Sequence, residues 1–384
     1  MNKTPKSTLR ILHIANDYAG STVYKSLFSE LDRNNLEQIV YTAVRSKKLI
    51  GNNEVAFKQK KSRLIYSNIL NAFTRIFFHC KITRVVQDLE QKLDLTNVDV
   101  IHAHTWYSDG GVAYVLSKKY NLPYIVTVRS SDTEIFFKYM IHLRRYGKKV
   151  LLGAKNIVFV APVYAKRLLN HPYYRNYQAF LTKNHSIIPN GIDDFWFKNI
   201  ANEKRKISDE TKLVYVGTFL KRKNVLKVIA ATEELRKGGM NVSLSLVGGG
   251  GADHNRIMNF INEKAHYTYL GKIKDKEKLK EILRASDILV MPSERETFGL
   301  VYLEALSQCV PIIYSTDDGV DGLFGKEVGI AVSKKNLKLA LPKAISTIAA
   351  DLPKYTFSPK QVLTGYGWSE LAGEYLKLYH NSIK

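Results

Sequence analysis

Short apolar runs typical of β-strands alternate with helical patterns along the whole of this 384-residue chain. Parallel strands need a long crossover connection, usually a helix, so this alternation predicts parallel sheets with helices on their faces. The first predicted sheet takes its strands from residues 10–15, 99–104, 124–128, 157–160 and 186–189. The second predicted sheet takes its strands from residues 212–216, 242–247, 267–270 and 288–291.

The chain length and the break between the two series predict two domains. A chain of 384 residues exceeds the size at which one hydrophobic core keeps growing. The polar stretch at residues 201–210 is the predicted linker. We therefore predict an α/β fold of two doubly wound, Rossmann-like domains, residues 1–198 and 199–365, with a terminal helix in residues 366–384. In such folds ligands bind at the carboxyl ends of the strands, so a cleft between the domains is the expected site.

Targeting and cysteine signals predict a cytoplasmic protein. The apolar stretch at residues 9–15 is interrupted by Arg10 and His13 and lacks a small-residue cleavage site, which predicts a first strand rather than a signal peptide. The sequence has no run of about 18 uninterrupted apolar residues. Its two cysteines, Cys80 and Cys309, are far apart, which argues against a disulfide framework or a structural zinc site.

The formal net charge of +23 is unevenly distributed. Residues 1–198 hold 30 Lys and Arg against 14 Asp and Glu, and residues 199–384 hold 28 against 21. Two stretches of the first half, residues 58–92 and 136–149, combine apolar residues at helical spacing with basic neighbours. They fit helices on an anionic membrane surface, or helices that pack on the first sheet with solvated cations. A nucleic-acid partner is less favoured, because no zinc-finger or RNP-type motif is present.

Two carboxylates follow the predicted strand at residues 288–291. Glu296 lies in the loop after the strand, and Glu304 lies eight positions later within the helical run that follows. A strand, a loop and a helix in that order present the free N–H groups of the helix start, which bind phosphate. Carboxylates beside a diphosphate need other partners, and the hydroxyl groups of a sugar or a ribose suit them.

The two glutamates, with Thr297, Phe298 and Gly299 between them, resemble the Glu-x7-Glu signature of glycosyltransferase family 4. The resemblance implies a GT-B fold whose terminal helix crosses back onto the N-terminal domain. It also implies that Glu304 binds the nucleotide ribose and that Glu296 lies by the hydroxyls of the donor sugar. The backbone amides of three residues are then expected to face the diphosphate: Phe298, Gly299 and Leu300.

Two further segments of the second half are similar to the family. Residues 214–224 resemble its strand-to-loop segment, in which a glycine precedes a basic pair that grips the donor phosphates. The resemblance assigns donor binding to Gly217 and Thr218 and phosphate stabilisation to Lys223 and Arg222, although Thr218 stands where Arg is common. The strand at residues 242–247 ends in a glycine run, and Gly248 is assigned to the donor side.

The N-terminal half resembles the family less closely. The segments around His104 and Arg129 are similar to its Asp-Val-Ile-His-x-His and Thr-x-His-Gly-x-Asp motifs, but Arg129 stands where many members have His. The acceptor-side candidates implied by the resemblance are Asp17, Gly20, His104, Arg129 and Asp132. His102 and His104 alternate on one strand, but without a third ligand at useful spacing they predict hydrogen-bonded histidines rather than a metal site.

The resemblance as a whole implies a retaining, metal-independent hexosyltransferase without a cofactor. Its expected partners are a UDP- or GDP-sugar donor and a glycan or lipid-linked hydroxyl acceptor, as in surface polysaccharide assembly, and its expected location is cytoplasmic or peripheral on the inner face of the plasma membrane. One alternative is a catalytically degenerate homologue that binds a sugar nucleotide without turnover. A second alternative is a basic nucleic-acid-binding protein.

Overall fold

A computed structural model describes residues 8–201 and 208–384, and the chain divides into two compact units. The first unit holds the described residues up to Val160, together with Tyr164–Gly191 and Trp368–Lys384. The second holds Ala161–Val163 and the described part of Ile192–Gly367. The division after Gly191 precedes the predicted boundary at residue 198. Six residues of the predicted linker, 202–207, lie outside the described residues.

The first unit is built on a parallel sheet with strand order β3-β2-β1-β4-β5-β6-β7. Its strands are β1 Arg10–Ile14, β2 Glu37–Ala43, β3 Arg63–Ser67, β4 Val100–Ala103, β5 Tyr124–Val128, β6 Asn156–Phe159 and β7 His185–Ile187. Every residue of β4 and β5 is buried, as expected for parallel strands covered on both faces. The pairing of β1 with β4 sets His13 opposite His102.

Helices connect these strands. They are α1 Thr22–Arg33, α2 Ala72–Ile76, α3 Phe78–Lys92, α4 Ser108–Tyr120, α5 Arg144–Gly153, α6 Pro162–Leu169 and α7 Gln178–Lys183. Shorter 3-10 turns lie at Tyr18–Gly20, Lys47–Leu49, Leu95–Asn97, Ile141–Leu143 and Pro172–Tyr177, and a π-helix at Asp132–Phe137. The helices α1 and α3 bury one apolar face each, which fixes them to the sheet.

The second unit repeats the same architecture with strand order β10-β9-β8-β11-β12-β13, again all parallel. Its strands are β8 Thr211–Gly217, β9 Val242–Gly248, β10 Tyr267–Gly271, β11 Ile288–Val290, β12 Ile312–Ser315 and β13 Gly329–Val332. Its helices are α8 Asp194–Lys198, α9 Val225–Lys237, α10 His254–Ile261, α11 Lys276–Arg284, α12 Leu300–Ser307, α13 Leu337–Ala350 and α14 Pro359–Val362. Its 3-10 turns are Lys221–Lys223, Lys326–Val328, Lys334–Asn336 and Leu352–Tyr355.

The last helix, α15 Trp368–Ser382, returns to the first unit, as predicted. Its buried face joins the core beside α1 through Trp368, Leu371 and Tyr375. A Cβ atom on Gly191 would lie 2.7 Å from the Trp368 ring, so this glycine admits the indole. The hydroxyl of Tyr379 bonds Nδ1 of His102 at 2.8 Å, which ties the terminal helix to β4.

Several elements differ from the sequence-based expectation. The strands β2, β3, β12 and β13 are additional to those predicted. Residues 64–66, expected on an amphipathic helix, belong to edge strand β3, and the helices of that stretch begin only at Ala72 and Phe78. No described helix is long and apolar enough to cross a membrane.

The glycine run that begins with Gly248, the last residue of β9, is required because its backbone lies close to the end of β8. Gly248 has φ +121°, and a Cβ atom there would lie 2.0 Å from the carbonyl oxygen of Gly217. We expect Gly248→Ala to lower the free energy of unfolding by about 3 kcal/mol, since both the left-handed backbone and the contact oppose a side chain. Gly367→Ala in the same unit, where a Cβ atom meets nothing closer than 3.7 Å, should change it by at most about 0.5 kcal/mol. Equal effects of the two in denaturant titrations would contradict this reading.

Candidate functional site

The helix start after β11 forms the centre of the candidate site in the second unit. Gly299 is the N-cap of α12 with φ +86°, and Arg295 in the preceding loop has φ +58°. Among the described residues, the N–H groups of Phe298, Gly299 and Leu300 have no hydrogen-bond acceptor. Such unpaired amides at a helix N-terminus are suited to an anion. The Phe298 side chain is buried, so its backbone contributes to the site while its ring packs in the core.

The basic turn after β8 is fixed to this loop by two hydrogen bonds to backbone carbonyls. The Glu294 N–H donates to the Arg222 carbonyl at 2.7 Å, and Nδ2 of Asn224 donates to the Pro292 carbonyl at 2.7 Å. Asn224 itself has φ +56° and is buried. On this frame the Lys223 ammonium forms an ion pair with the Glu296 carboxylate. The structure therefore pairs Lys223 with the first predicted glutamate and bonds the Arg222 backbone to the same loop.

The glycines and Thr218 form the neighbouring wall of the second unit. Gly217 and Gly248 pair at the ends of β8 and β9, and the Gly249 N–H donates to the Gly217 carbonyl at 3.3 Å. Thr218 is exposed, and its carbonyl accepts from the Tyr215 hydroxyl at 3.3 Å. Glycine is thus required here because the ends of the two strands lie too close together for a side chain.

Glu304 is placed differently from Glu296. It lies on α12, and its carboxylate accepts no hydrogen bond from the described residues. Burial raises its pKa to about 7, with a smaller opposing effect from Lys276 and a further raising effect from Asp193. A largely desolvated carboxyl without a partner is suited to a ligand that donates hydrogen bonds.

Asp318 supports the site and was not predicted from the sequence. Its carboxylate accepts the Arg295 N–H, and Lys334 lies 3.3 Å from the same oxygen. The next residue, Gly319, donates its N–H to the Glu296 carbonyl at 3.2 Å. Asp318 therefore stabilises the left-handed turn that precedes Glu296. A lone aspartate after a strand gives no motif by which it could have been recognised.

In the first unit the two predicted residues Arg129 and Asp132 are anchored to each other. Asp132 accepts backbone N–H groups from Trp106, Tyr107 and Arg129 at 2.9 to 3.2 Å. Burial raises its pKa to about 6 against the lowering effect of those bonds. The Arg129 guanidinium donates from Nε to the His104 carbonyl at 3.0 Å and lies 4.7 Å from the centre of the Tyr24 ring. Asp132 thus joins the loops that follow β4 and β5.

Three buried histidines cluster on β1, on β4 and directly after β4. His13 adds to the predicted pair, and the candidate ligand atoms of His13, His102 and His104 all lie within 4.8 Å of one another. Nδ1 of His13 lies 3.1 Å from Nε2 of His104, and both nitrogens of His102 are bonded, to Tyr379 and Thr127. Burial lowers the pKa of all three, that of His13 to about 3. Nε2 of His13 is buried and has no hydrogen-bond partner among the described residues, so the cluster consists of neutral imidazoles with one nitrogen left unpaired.

The first unit also contains a buried carboxyl group that the sequence reasoning missed. Asp109 on α4 is fully buried, and burial and the nearby Asp17 raise its pKa to about 8 while Lys81 opposes the shift. Its Oδ2 atom has no hydrogen-bond partner among the described residues. The predicted acceptor-side residues Asp17 and Gly20 follow β1 and are both exposed. Asp109 sits in the helix that follows β4, and only knowledge of the strand order would have brought it beside Asp17.

Two parallel α/β units with an anion-type helix start define a protein of the GT-B transferase class. Two family models match the chain, Glycosyltransferase Family 4 over residues 21–194 and Glycosyl transferases group 1 over residues 197–355. The chain belongs to glycosyltransferase family 4. This confirms the family and the fold class predicted from the sequence.

Individual relatives share a moderate part of the sequence. A Bacillus subtilis glycosyltransferase assigned to teichuronic acid biosynthesis is 28% identical over 275 residues, 70% of this chain and 65% of the relative. The alpha-monoglucosyldiacylglycerol synthase of Acholeplasma laidlawii is 27% identical over 262 residues, 60% of this chain and 62% of the relative. The matches therefore span a little under two thirds of each relative's length.

Solved structures share the fold over nearly the whole chain. Sucrose-phosphate synthase from Thermosynechococcus elongatus superposes with a TM-score of 0.73 at 21% identity, covering 97% of this chain and 98% of that one. The Anabaena protein HepE in complex with UDP and glucose gives 0.68 at 14% identity, covering 96% and 98%. At such identities the likeness establishes the architecture.

The raised pKa of Glu304 predicts a pH-dependent stability. Because its folded pKa of about 7 exceeds the ordinary 4.5, the folded state binds more protons between those values, and stability falls as pH rises through that window. Glu304→Gln removes the charge, so it should raise the free energy of unfolding at pH 8 by about 1 to 3 kcal/mol and change it little at pH 4.5. Denaturant titrations at both values measure the difference. An equal effect of the substitution at the two pH values would refute a desolvated Glu304.

Proposed function

We propose that this chain is a retaining, metal-independent glycosyltransferase that moves a hexosyl group from a UDP- or GDP-sugar to a hydroxyl acceptor. The observation that carries the proposal is the arrangement around α12. One unit holds all three parts of this arrangement. They are the unpaired amides at Phe298 to Leu300, the basic turn at Arg222 and Lys223, and the unpartnered Glu304 carboxylate. Anion binding and hydroxyl binding are thus supplied side by side, as a nucleoside diphosphate requires.

The donor is assigned to these residues by their chemistry. The helix-start amides and the Arg222 guanidinium bind the diphosphate, and Glu304 accepts hydrogen bonds from the ribose hydroxyls. Glu296 faces the hydroxyls of the transferred sugar, and Gly217, Thr218 and Gly248 line the donor side. When the donor binds, its phosphates compete with Glu296 for the Lys223 ammonium.

The reaction step needs charge stabilisation at the leaving diphosphate. The anomeric carbon forms its new bond to the acceptor oxygen on the face from which the diphosphate departs, which retains the configuration. A phosphate oxygen of the leaving group takes the proton of the acceptor hydroxyl, and Lys223, Arg222 and the amides offset the developing negative charge. No cofactor takes part in this scheme.

The acceptor is proposed to be a glycan or a lipid-linked saccharide of surface polysaccharide assembly, met on the inner face of the plasma membrane. The names of two relatives, one in teichuronic acid biosynthesis and one a glycolipid synthase, favour this class. Asp17, Gly20, His104, Arg129 and Asp132 are assigned to the acceptor side. Arg129 is held by the His104 carbonyl and the Tyr24 ring, which favours a positioning role for it.

A degenerate homologue that binds a sugar nucleotide without turnover is the second candidate, favoured by Arg129 and Thr218 at positions where the family has other residues. A panel of UDP- and GDP-sugars separates the two. We expect slow donor hydrolysis with one sugar nucleotide, undiminished by EDTA, with the α-anomer released from an α-donor as judged by NMR. Thermal stabilisation without hydrolysis or transfer would establish the degenerate homologue, and loss of turnover in EDTA would disprove metal independence.

Two substitutions should affect different steps. Lys223→Ala is expected to lower kcat by about 100-fold or more, since it removes a charge that acts on the leaving group. Glu304→Ala should weaken binding of the free nucleoside diphosphate by about tenfold or more, since two hydroxyl contacts are lost. The exposed neighbours Lys221→Ala and Glu277→Ala serve as matched controls. Unchanged nucleotide affinity in Glu304→Ala, measured by calorimetry, would contradict its ribose role.

A further inference from the structure

The basic charge of the first unit is concentrated in two segments without any carboxylate. Residues 55–87 contain no Asp or Glu, and neither do residues 135–192. Two of the carboxylates that border them are occupied, since Glu134 pairs with Arg167, and Asp88 binds Tyr41, Ser67 and Lys92. Among the described residues, no carboxylate pairs with Arg75, Lys138 or Arg145. These cations are left for an external anion.

The same two segments expose large apolar side chains. On and after α2, Phe73, Ile76 and Phe77 are 53%, 75% and 49% exposed. In the second segment Tyr139 and Ile141 are 66% and 64% exposed. Neighbouring apolar side chains that remain in water, with exposed cations beside them, indicate a surface that binds a partner when the protein functions.

Aromatic contacts join the two segments. Phe78 at the start of α3 lies 6.2 Å from Phe136 and 5.6 Å from Tyr146, measured between ring centres. Phe77, next to Phe78, contacts Phe73 at 4.4 Å. The exposed residues of the two segments therefore lie beside the same group of contacting rings, Phe78, Phe136 and Tyr146, rather than in separate parts of the unit.

Folding does not require this charge pattern. Arg145 and Lys149 are spaced i, i+4 on α5, where like charges repel. Arg145 also lies in the first helical turn, whose dipole disfavours a cation. A glutamate at exposed position 145 would relieve both effects, so the pattern fits an anionic partner better than it fits the isolated fold.

We propose that this surface, comprising Phe73, Ile76, Phe77, Tyr139 and Ile141 with Arg75, Lys138 and Arg145, docks on an anionic lipid bilayer. The apolar side chains enter the headgroup boundary and the cations contact lipid phosphates. A bilayer is favoured over nucleic acid because the protruding groups are aliphatic as well as aromatic. This proposal identifies the surface by which the chain would reach a membrane-bound acceptor. It rests on the proposed function only for the reason that the protein binds a membrane.

Vesicle co-sedimentation of the full chain tests the proposal. With phosphatidylcholine vesicles containing about 30% phosphatidylglycerol we expect binding that weakens with salt, and with pure phosphatidylcholine little binding. Ile76→Ser with Phe77→Ser should lower the partition coefficient about tenfold or more, whereas Leu339→Ser, 63% exposed in the second unit, should not. Ile76→Leu should bind as the parent does.

A second pair of variants isolates the role of charge. Lys138→Gln with Arg145→Gln should weaken anionic vesicle binding several-fold, and Lys335→Gln with Lys338→Gln, the same loss of charge in the second unit, should weaken it far less. Equal effects of the two pairs, or no loss in the Ile76 and Phe77 variant, would overturn the proposal. So would salt-sensitive DNA or RNA binding through these residues without vesicle binding.

The proposal and the proposed function fail separately. Vesicle-binding variants should keep the parent's melting temperature and its affinity for the nucleoside diphosphate, since the altered side chains are exposed. Conversely, Lys223→Ala should bind vesicles as the parent does. Loss of vesicle binding in Lys223→Ala would show that the measured binding does not come from this surface.

Discussion

The bonds that hold the Arg222–Asn224 turn against the loop before Glu296 are the constraint on which the donor site depends. Two backbone carbonyls, of Arg222 and Pro292, accept from Glu294 and Asn224 and bring the ends of β8 and β11 together. The ion pair of Lys223 and Glu296 then follows from where the backbone already lies. Because these two hydrogen bonds rather than the ion pair hold the turn against the loop, Lys223 can exchange its carboxylate for a phosphate while the turn stays in place.

The two glutamates of the motif illustrate how environment separates identical groups. Glu296 is neutralised by an ammonium, whereas burial raises the pKa of Glu304 because no described donor reaches its carboxylate. The structure thus keeps the Glu304 carboxyl desolvated and without a hydrogen-bond donor, which destabilises the folded protein when the group is charged. Groups perturbed in this way are concentrated at functional positions. Hydroxyl donors from a ligand would relieve that cost, so the destabilisation of the free protein and the affinity for a ligand have the same origin.

Sequence reasoning succeeded where the signal was local. The buried strands β1, β4, β5 and β11 were recognised from short runs rich in apolar residues, and the motif with Glu296 and Glu304 fixed the family. It failed where tertiary pairing decides. The edge strand β3 was confused with a helix because its residues are only partly buried. His13 was not joined to His102 because only the pairing of β1 with β4 sets them opposite each other. Asn224 was overlooked since a left-handed backbone at a non-glycine residue has no sequence signature.

Charge and exposure extend the same reasoning to the first unit. Its core is complete without the side chains of Phe73, Ile76 and Phe77, and the helix face of α5 that packs inward is formed by Gly147, Val150 and Leu151. The exposed apolar groups therefore add little to folding. The same holds for Arg75, Lys138 and Arg145, which pair with no carboxylate among the described residues. Local electrostatics oppose them, since net positive charge repels itself within one unit. A feature that folding does not need and electrostatics disfavours requires a cause outside the molecule, and an anionic surface with an apolar interior supplies both missing interactions.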